Sequence, residues 1–295
     1  MIEIEHASLN LEEVTKIIFK DERIELSENV VGKINESYNF LNEFSKNKII
    51  YGINTGFGPM AQYKIEDADQ IKLQYNLIRS HSSGFGKYLE PNYAKAAVLA
   101  RLNTLSLGYS GVNITAIRVL QELINKDVTP LIFEHGGVGA SGDLVQLAHL
   151  GLVMIGEGQV IYKGEIHDTA DIFKQLSITP MTVKLREGLG IMNGTSVMTG
   201  IGLINSIYAK RAIEWSLACT IMICEMVDSY DDYFSKELNQ SKKHVGQQDV
   251  ARVLYQHITE SKYIRKREQR LYNGDTDEKY FEDKVQEYYS LRCVP

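Results

Sequence analysis

Cysteine is scarce in this 295-residue sequence: three occur, Cys219, Cys224 and Cys293, without the paired spacing of a zinc site or a disulfide framework. The thiols are therefore read as reduced, in a reducing compartment, and as small buried hydrophobes. Positive charge is also short. Lys and Arg number 32 against 38 Asp and Glu, giving a formal charge of −6 and a pI near 5.7, so a clustered basic surface for nucleic acid or anionic membrane is not expected. No window approaches the roughly 20 apolar residues of a spanning helix, and the acidic stretch from Met1 to Leu11 lacks a leader pattern. Internal repeats and low-complexity tracts are absent. These absences point to a globular, cytoplasmic protein with a small-molecule partner. A hydrophobic content of 44% suffices for the core of one large domain or two.

What is present is helical periodicity. Val14, Ile17 and Ile18 form an apolar face behind Asn10, with Glu13 placed for a capping box. Ser27 to Phe44 repeats the device through Val30, Ile34, Tyr38 and Leu41. Further helices are predicted at about Asp67 to Ser80, Ala94 to Leu107, Ile114 to Ile124 and Leu144 to Ile155. Gln159 to Ile166, with Lys163-Gly164 at its turn, reads as a short hairpin. From Ser196 to about Phe234 the chain is apolar almost all round, through Ile204, Trp215, Leu217, Met222 and Met226, and must be buried by partners within the chain or from another subunit. The charge-dense stretch Ser261 to Lys284, with Lys262, Arg265, Lys266 and Arg267 near Glu268, Asp275 and Asp277, reads as a solvated region. The fold class expected is all-α with a minor β-hairpin. Residues 1–195 form the first domain and 196–295 begin a central helical bundle.

Two glycine-rich windows stand out. Tyr51-Gly52-Ile53-Asn54-Thr55-Gly56-Phe57-Gly58-Pro59 is too glycine-laden for an element interior, and loops of this kind carry sites more often than cores. The second is Glu134-His135-Gly136-Gly137-Val138-Gly139-Ala140-Ser141-Gly142-Asp143-Leu144. Gly137-x-Gly139-x-x-Gly142 matches a dinucleotide fingerprint, with Pro130 to Phe133 as its strand. A nucleotide fold, however, needs a second parallel strand after the helix, where this chain has a hairpin. A hydrolase elbow would need glycine where Asp143 stands. What remains is Ala140-Ser141-Gly142 in a crowded loop. The Gly142 amide nitrogen can attack the Ala140 carbonyl carbon, because glycine permits the close approach. Loss of two waters, one of them carrying the Ser141 hydroxyl, leaves a methylidene-imidazolone with an exposed electrophilic carbon. The plainer account is that Ser141 or Asp143 caps the following helix, and on this loop alone it is the simpler one.

The wider pattern of windows resembles a known family. Ala140-Ser141-Gly142-Asp143-Leu144 with Leu147-Ala148-His149-Leu150 is similar to the cofactor-forming signature of the histidine, tyrosine and phenylalanine ammonia-lyases. In order along the chain, Tyr51 to Gly58 resembles the family's catalytic tyrosine loop. Leu73-Gln74-x-Asn76-Leu77 with Ser80-His81 resembles its substrate-selectivity helix. Asn193-Gly194-Thr195 matches the asparagine that supports the electrophile, and Gln286-x-x-Tyr289-Ser290-Leu291-Arg292-Cys293 the tyrosine and arginine segment.

The resemblance implies a non-oxidative elimination of ammonia from L-histidine or L-tyrosine, giving urocanate or coumarate, through an electrophile made from Ala140, Ser141 and Gly142 and without metal or nucleotide. Tyr51 is then the base at the β-carbon. An unperturbed tyrosine titrates near 10, so this role demands a tuned site, with helix N-termini aimed at the centre as one means. Arg292 is expected to pair with the substrate carboxylate from the segment that also carries Gln286, and Asn193 and Tyr289 to hydrogen-bond around the ring and the leaving ammonia. Ser80-His81 follows the histidine-selective pattern, whereas Val145-Gln146 departs from that branch toward some bacterial tyrosine enzymes. The family fold is an all-helical homotetramer with sites built from more than one subunit. Its chains are longer, and this one stops at Pro295, so a catalytically silent helical assembly of the same shape is the alternative expectation. Taken singly, each residue also has a plain role: Tyr51 as a packed tyrosine, Arg292 as a surface cation, His81 as the end of its helix.

Overall fold

The computed structural model describes residues 1–5, 9–273, 279–281 and 284–295. Asp275 and Asp277 lie outside the described residues. Contacts divide the chain into two compact units, Met1–Ile207 and Tyr208–Pro295.

The first unit is built on helices whose ends the sequence specifies. α1 (Leu11–Phe19) opens on the expected capping box: the Asn10 side chain accepts from Glu12 and Glu13 N–H, and Glu13 accepts from Asn10 N–H. α2 (Glu28–Phe44) is capped by Ser27. α3 (Asp67–His81), α4 (Pro91–Leu105) and α5 (Ile114–Asn125) follow, then α6 (Leu144–Met154), α7 (Thr169–Leu176) and α8 (Glu187–Met192). α4 is buried nearly all round, with Ala94, Ala96, Ala97, Leu99 and Leu102 sealed against α1, α5 and the strands. Its lack of an amphipathic stripe thus reflects full burial.

The strands are short. β1 (Ile2–Ile4) pairs with β2 (Ile24–Leu26) in parallel. β3 (Phe85–Tyr88) pairs antiparallel with β5 (Phe133–His135), and β4 (Thr129–Pro130), β6 (Gln159–Tyr162) and β7 (Glu165–Asp168) form an antiparallel sheet. The predicted hairpin is β6–β7, turning through Lys163 and Gly164, both at positive φ. The other pairings were not read from the sequence, because two- to four-residue strands leave no usable alternation. The glycine loop follows an antiparallel strand, and the chain after α6 enters the antiparallel hairpin, so no βαβ nucleotide unit forms around it.

α9 (Ser196–Met226) spans 31 residues and ends before Phe234, the limit expected of the apolar run. Ile204 and Ile207 are buried in the first unit, but Ile213, Trp215, Met222 and Met226 are exposed. In the second unit α10 (Lys236–Gln240), α11 (Val245–Ile258) and α12 (Tyr289–Arg292) accompany a small core of Cys224, Tyr230, Tyr233, Phe234, Leu254, Ile258 and Ile264. Two expectations are corrected here. Cys219 and Cys293 are exposed, and only Cys224 is a buried hydrophobe. The charge-dense stretch is not uniformly solvated: Arg267 is 8% exposed, because Tyr230 and Tyr233 supply faces for its guanidinium.

Among the described residues, no helix is long and apolar enough to cross a membrane, and no group of three or more His, Cys, Asp or Glu is placed to hold a metal ion.

Candidate active site

Two loops converge on α8 and the Asn193-Gly194 step that follows it. The tyrosine loop begins after α2 and is held from inside: Asn54 Nδ2 donates to Lys48 O at 2.6 Å, and Gly56 N–H to Tyr63 O at 2.9 Å. Its anchor to the rest of the unit is Gln74 of α3, fully buried, whose Nε2 donates to Gly52 O at 2.9 Å and whose Oε1 faces Leu189 N of α8 at 3.4 Å. Gly52 has φ +78° and sits against the Leu189 side chain, so a side chain there has neither a relaxed backbone nor space. The Tyr51 hydroxyl accepts from Gly58 N–H at 3.2 Å, and its ring meets Phe57 edge-on. At 48% exposure, Tyr51 is not a packed core tyrosine.

The Ala140-Ser141-Gly142 loop is held from outside. Gly142 has φ +81° and lies so close to Gly194 that an added Cβ would strike the Gly194 carbonyl oxygen. Asp143 N–H donates to that same oxygen at 2.8 Å. The Asp143 carboxylate accepts from Val197 and Met198 N–H, at 2.8 and 2.9 Å, in the first turn of α9. This corrects the plain reading of the loop. Asp143 caps a helix, but the long one beginning about fifty residues later in sequence rather than α6, whose start carries no side-chain cap. A carboxylate on the positive end of a helix dipole is a favourable pairing, and here it pins the residue after Gly142 to the first turn of α9.

Asn193 terminates α8, its Nδ2 donating to Leu189 O at 3.0 Å. Beneath it lies Arg101 of α4, 2% exposed, which donates to Gly190 O. Burial pushes this guanidinium down to about 10, while the nearby Asp143 carboxylate supports its charge. Glu187 opens α8, fully buried and accepting from Asn113 and Lys184 N–H at 2.7 Å each; burial raises its carboxyl to about 7.

Tyr51, Asn193 and Gly194 share an open cleft of about 690 Å³ whose wall includes Arg101, Leu189 and Thr195. Gly139, Gly142 and Asp143 line a smaller hollow of about 260 Å³ with Val197 and Met198. The Asn193-Gly194 step, in contact with Gly142, separates the two. Ser80 and His81 line neither. His81 ends α3 with Nδ1 turned back to Leu77 O at 2.9 Å, and Ser80 Oγ donates to the same carbonyl. In the second unit, Gln286, Tyr289 and Arg292 come together: the Arg292 guanidinium stacks over the Tyr289 ring at 4.3 Å and, with the Gln286 amide oxygen turned toward it, donates to that oxygen.

Sequence reasoning missed the supports. Gln74, Arg101, Asp143 and Glu187 act on backbone atoms, which no spacing rule registers. A signal did exist for two of them: Gln74 and Arg101 are polar residues on stripes that are otherwise apolar, where a buried polar group must have a partner.

This helical architecture recurs in a solved tyrosine aminomutase from Streptomyces globisporus, which superposes with a TM-score of 0.89 at 30% identity over 99% of this chain and 56% of that one. By sequence the chain belongs to the aromatic amino acid lyases, whose family pattern matches residues 9–295. It is 38% identical, over its full length, to a protein of Thermoplasma volcanium named a probable histidine ammonia-lyase, and 35% identical to the histidine ammonia-lyase of Shouchella clausii. The chain spans 57% of the length of each of these curated relatives.

Proposed function

We propose that the protein serves the elimination of ammonia from an aromatic L-amino acid, with L-histidine the first substrate and L-tyrosine the second, and that Ala140-Ser141-Gly142 cyclises to a methylidene-imidazolone. The observation that carries the proposal is the clamp of Asp143 on Gly194 and the first turn of α9, which holds Gly142 in a left-handed conformation where only glycine fits. These residues fit the group: the loop is already turned tightly enough for Ala140 and Gly142 to lie in bridge contact. Once formed, the group supplies an electrophile that makes the substrate amine a better leaving group. Tyr51, its hydroxyl oriented by Gly58 N–H, takes the proton from the substrate β-carbon. The C–H electron pair becomes the new double bond, the C–N bond breaks with its electrons on nitrogen, and ammonia and an arylacrylate leave. Asn193, on the wall shared with Tyr51, donates toward the leaving nitrogen's surroundings. Arg292, stacked on Tyr289 and braced by Gln286, binds the substrate carboxylate.

The names of the curated relatives support histidine as substrate, as does the Ser80-His81 pair. The exposed apolar residues of α9 support a homo-oligomer, the tetramer of the resemblance; a cytoplasmic location is part of the same proposal. Assay with L-histidine, L-tyrosine and L-phenylalanine is the test: arylacrylate absorbance from the first or second supports the proposal, and none from any of them favours a silent helical assembly. Likeness to the tyrosine aminomutase gives a second reading, in which the amine returns to the β-carbon; a β-amino acid product in place of free ammonia would select it.

A further inference from the structure

The segment that carries Gln286 and Arg292 has little regular structure of its own. α12 is four residues long, and Tyr288 and Tyr289 are mostly exposed. Something else must fix it if its guanidinium is to meet a carboxylate in one place. The structure supplies a dense set of bonds just before it. Arg267 Nη1 donates to Val285 O at 2.8 Å, and Nη2 to the Tyr233 hydroxyl at 2.6 Å. The Tyr233 oxygen also accepts from Glu287 N–H at 2.8 Å, so one phenol ties the arginine to the segment. Tyr230 donates its hydroxyl to Lys284 O at 2.7 Å. The Arg267 guanidinium lies 4.3 Å from the Tyr230 ring centre and 5.2 Å from that of Tyr233, with the Asp232 carboxylate 2.7 Å from Nε. Residues 284, 285 and 287 are thus bound through their backbones, on both sides of Gln286.

A buried arginine is costly, and beside its pairing with Asp232 this one commits its Nη donors to a loop carbonyl and a phenol. We propose that Arg267, with Tyr230 and Tyr233, is the positioning device for the substrate-binding segment Gln286–Arg292, acting through the backbone of residues 284–287 without itself touching substrate. The inference rests on the reading that Arg292 binds the substrate carboxylate. It assigns a role to Arg267, in a stretch whose charge pattern reads as solvent-exposed, and to two tyrosines that precede that stretch.

The test is hydrogen–deuterium exchange on the full chain, wild type against Tyr233→Phe and Arg267→Gln. Loss of the phenol should speed exchange of the Glu287 amide by roughly tenfold, the equivalent of one hydrogen bond, while exchange in α11 is unchanged. Arg267→Gln should speed exchange across 284–292, and Arg267→Lys should not rescue it, because an ammonium has no planar face to stack between two rings. If Arg267→Gln fails to fold, Tyr233→Phe alone decides. Unchanged exchange at Glu287 in that variant overturns the inference. L-Histidine turnover supplies the functional arm: Tyr233→Phe should raise KM several-fold with kcat nearly constant, as expected when a binding group loses its fixed place. Faster exchange with an unmoved KM would overturn the link to binding. Wild-type chain that neither binds nor turns over L-histidine counts against the proposed function, and the exchange result then still decides whether Arg267 and Tyr233 hold the segment.

Discussion

The two glycine loops are held in opposite ways. The Tyr51 loop is a network of neutral hydrogen bonds within itself, and Gln74 adds one buried anchor. The Ala140-Ser141-Gly142 loop has few bonds of its own; one ionised side chain, Asp143, joins it to a helix end. Redundant neutral bonds tolerate the loss of any member at about 0.5–1.5 kcal/mol, whereas a single charged clamp fails as a unit. The loop expected to do covalent chemistry is therefore the more vulnerable one, and the two are coupled through consecutive segments: the Tyr51 loop meets Leu189 of α8, and the other loop meets Gly194 just beyond its end.

The largest effect is expected from Ser141→Ala, which removes the hydroxyl that must leave as water: no electrophile, no turnover and an unchanged far-ultraviolet spectrum. Turnover retained in this variant would take the cyclised group out of the mechanism. Asp143→Ala should come next. It breaks the clamp, costs about 1–2 kcal/mol of stability as a lost helix cap, and leaves the loop uncyclised by mass. Asp143→Asn, which still accepts from both amides but carries no charge, should be milder, costing roughly 0.3–1 kcal/mol. An Asp143→Asn variant as stable as the wild type would show that charge does not matter to the clamp. Tyr51→Phe should keep substrate binding and depress the chemical step roughly 10²- to 10⁴-fold; an unchanged rate would make Tyr51 a packing residue only.

Glu187 tests the shared support. Its carboxyl is raised in the folded chain to about 7, so between the usual carboxylate range and pH 7 the folded state holds a proton that the unfolded chain has released. Stability from this group is present at acid pH and falls as pH rises through that window, by at most about 3 kcal/mol. Glu187→Gln should flatten the slope in a series of thermal melts; a slope that persists would place its origin elsewhere. The smallest change is expected for the pair Ser80-His81. Replacement by Phe-Leu should shift preference toward phenylalanine by about tenfold if His81 Nε2 faces substrate, because Nδ1 is committed to Leu77 O. An unaltered ratio of kcat/KM values would leave His81 a helix terminator.

Helices were legible wherever a stripe or a cap wrote itself into the sequence, as at Asn10 and Ser27. α4, despite Lys95 and Arg101, is sealed nearly all round by its own unit, while α9, apolar almost all round in sequence, leaves Trp215 and Met226 exposed. Periodicity reports that a helix needs covering and not by what. At the site, Tyr51, Asn193 and the glycine loop were legible as motifs of a family. Their mutual arrangement was not, since it depends on Asp143 reaching the start of α9 and Gln74 reaching Gly52 across 54 and 22 positions of sequence. Arg267 was misread because charge density in sequence suggests solvent, and only the fold reveals two tyrosine rings around it.

We propose that this chain builds its own electrophile at a loop clamped by Asp143. Intact mass of the purified protein tests it most directly, with Ser141→Ala alongside as the reference. The wild-type chain should be lighter than its sequence by two waters, with the deficit in the peptide containing Ala140-Ser141-Gly142. A wild-type mass equal to that of the encoded sequence, in folded protein, would contradict it.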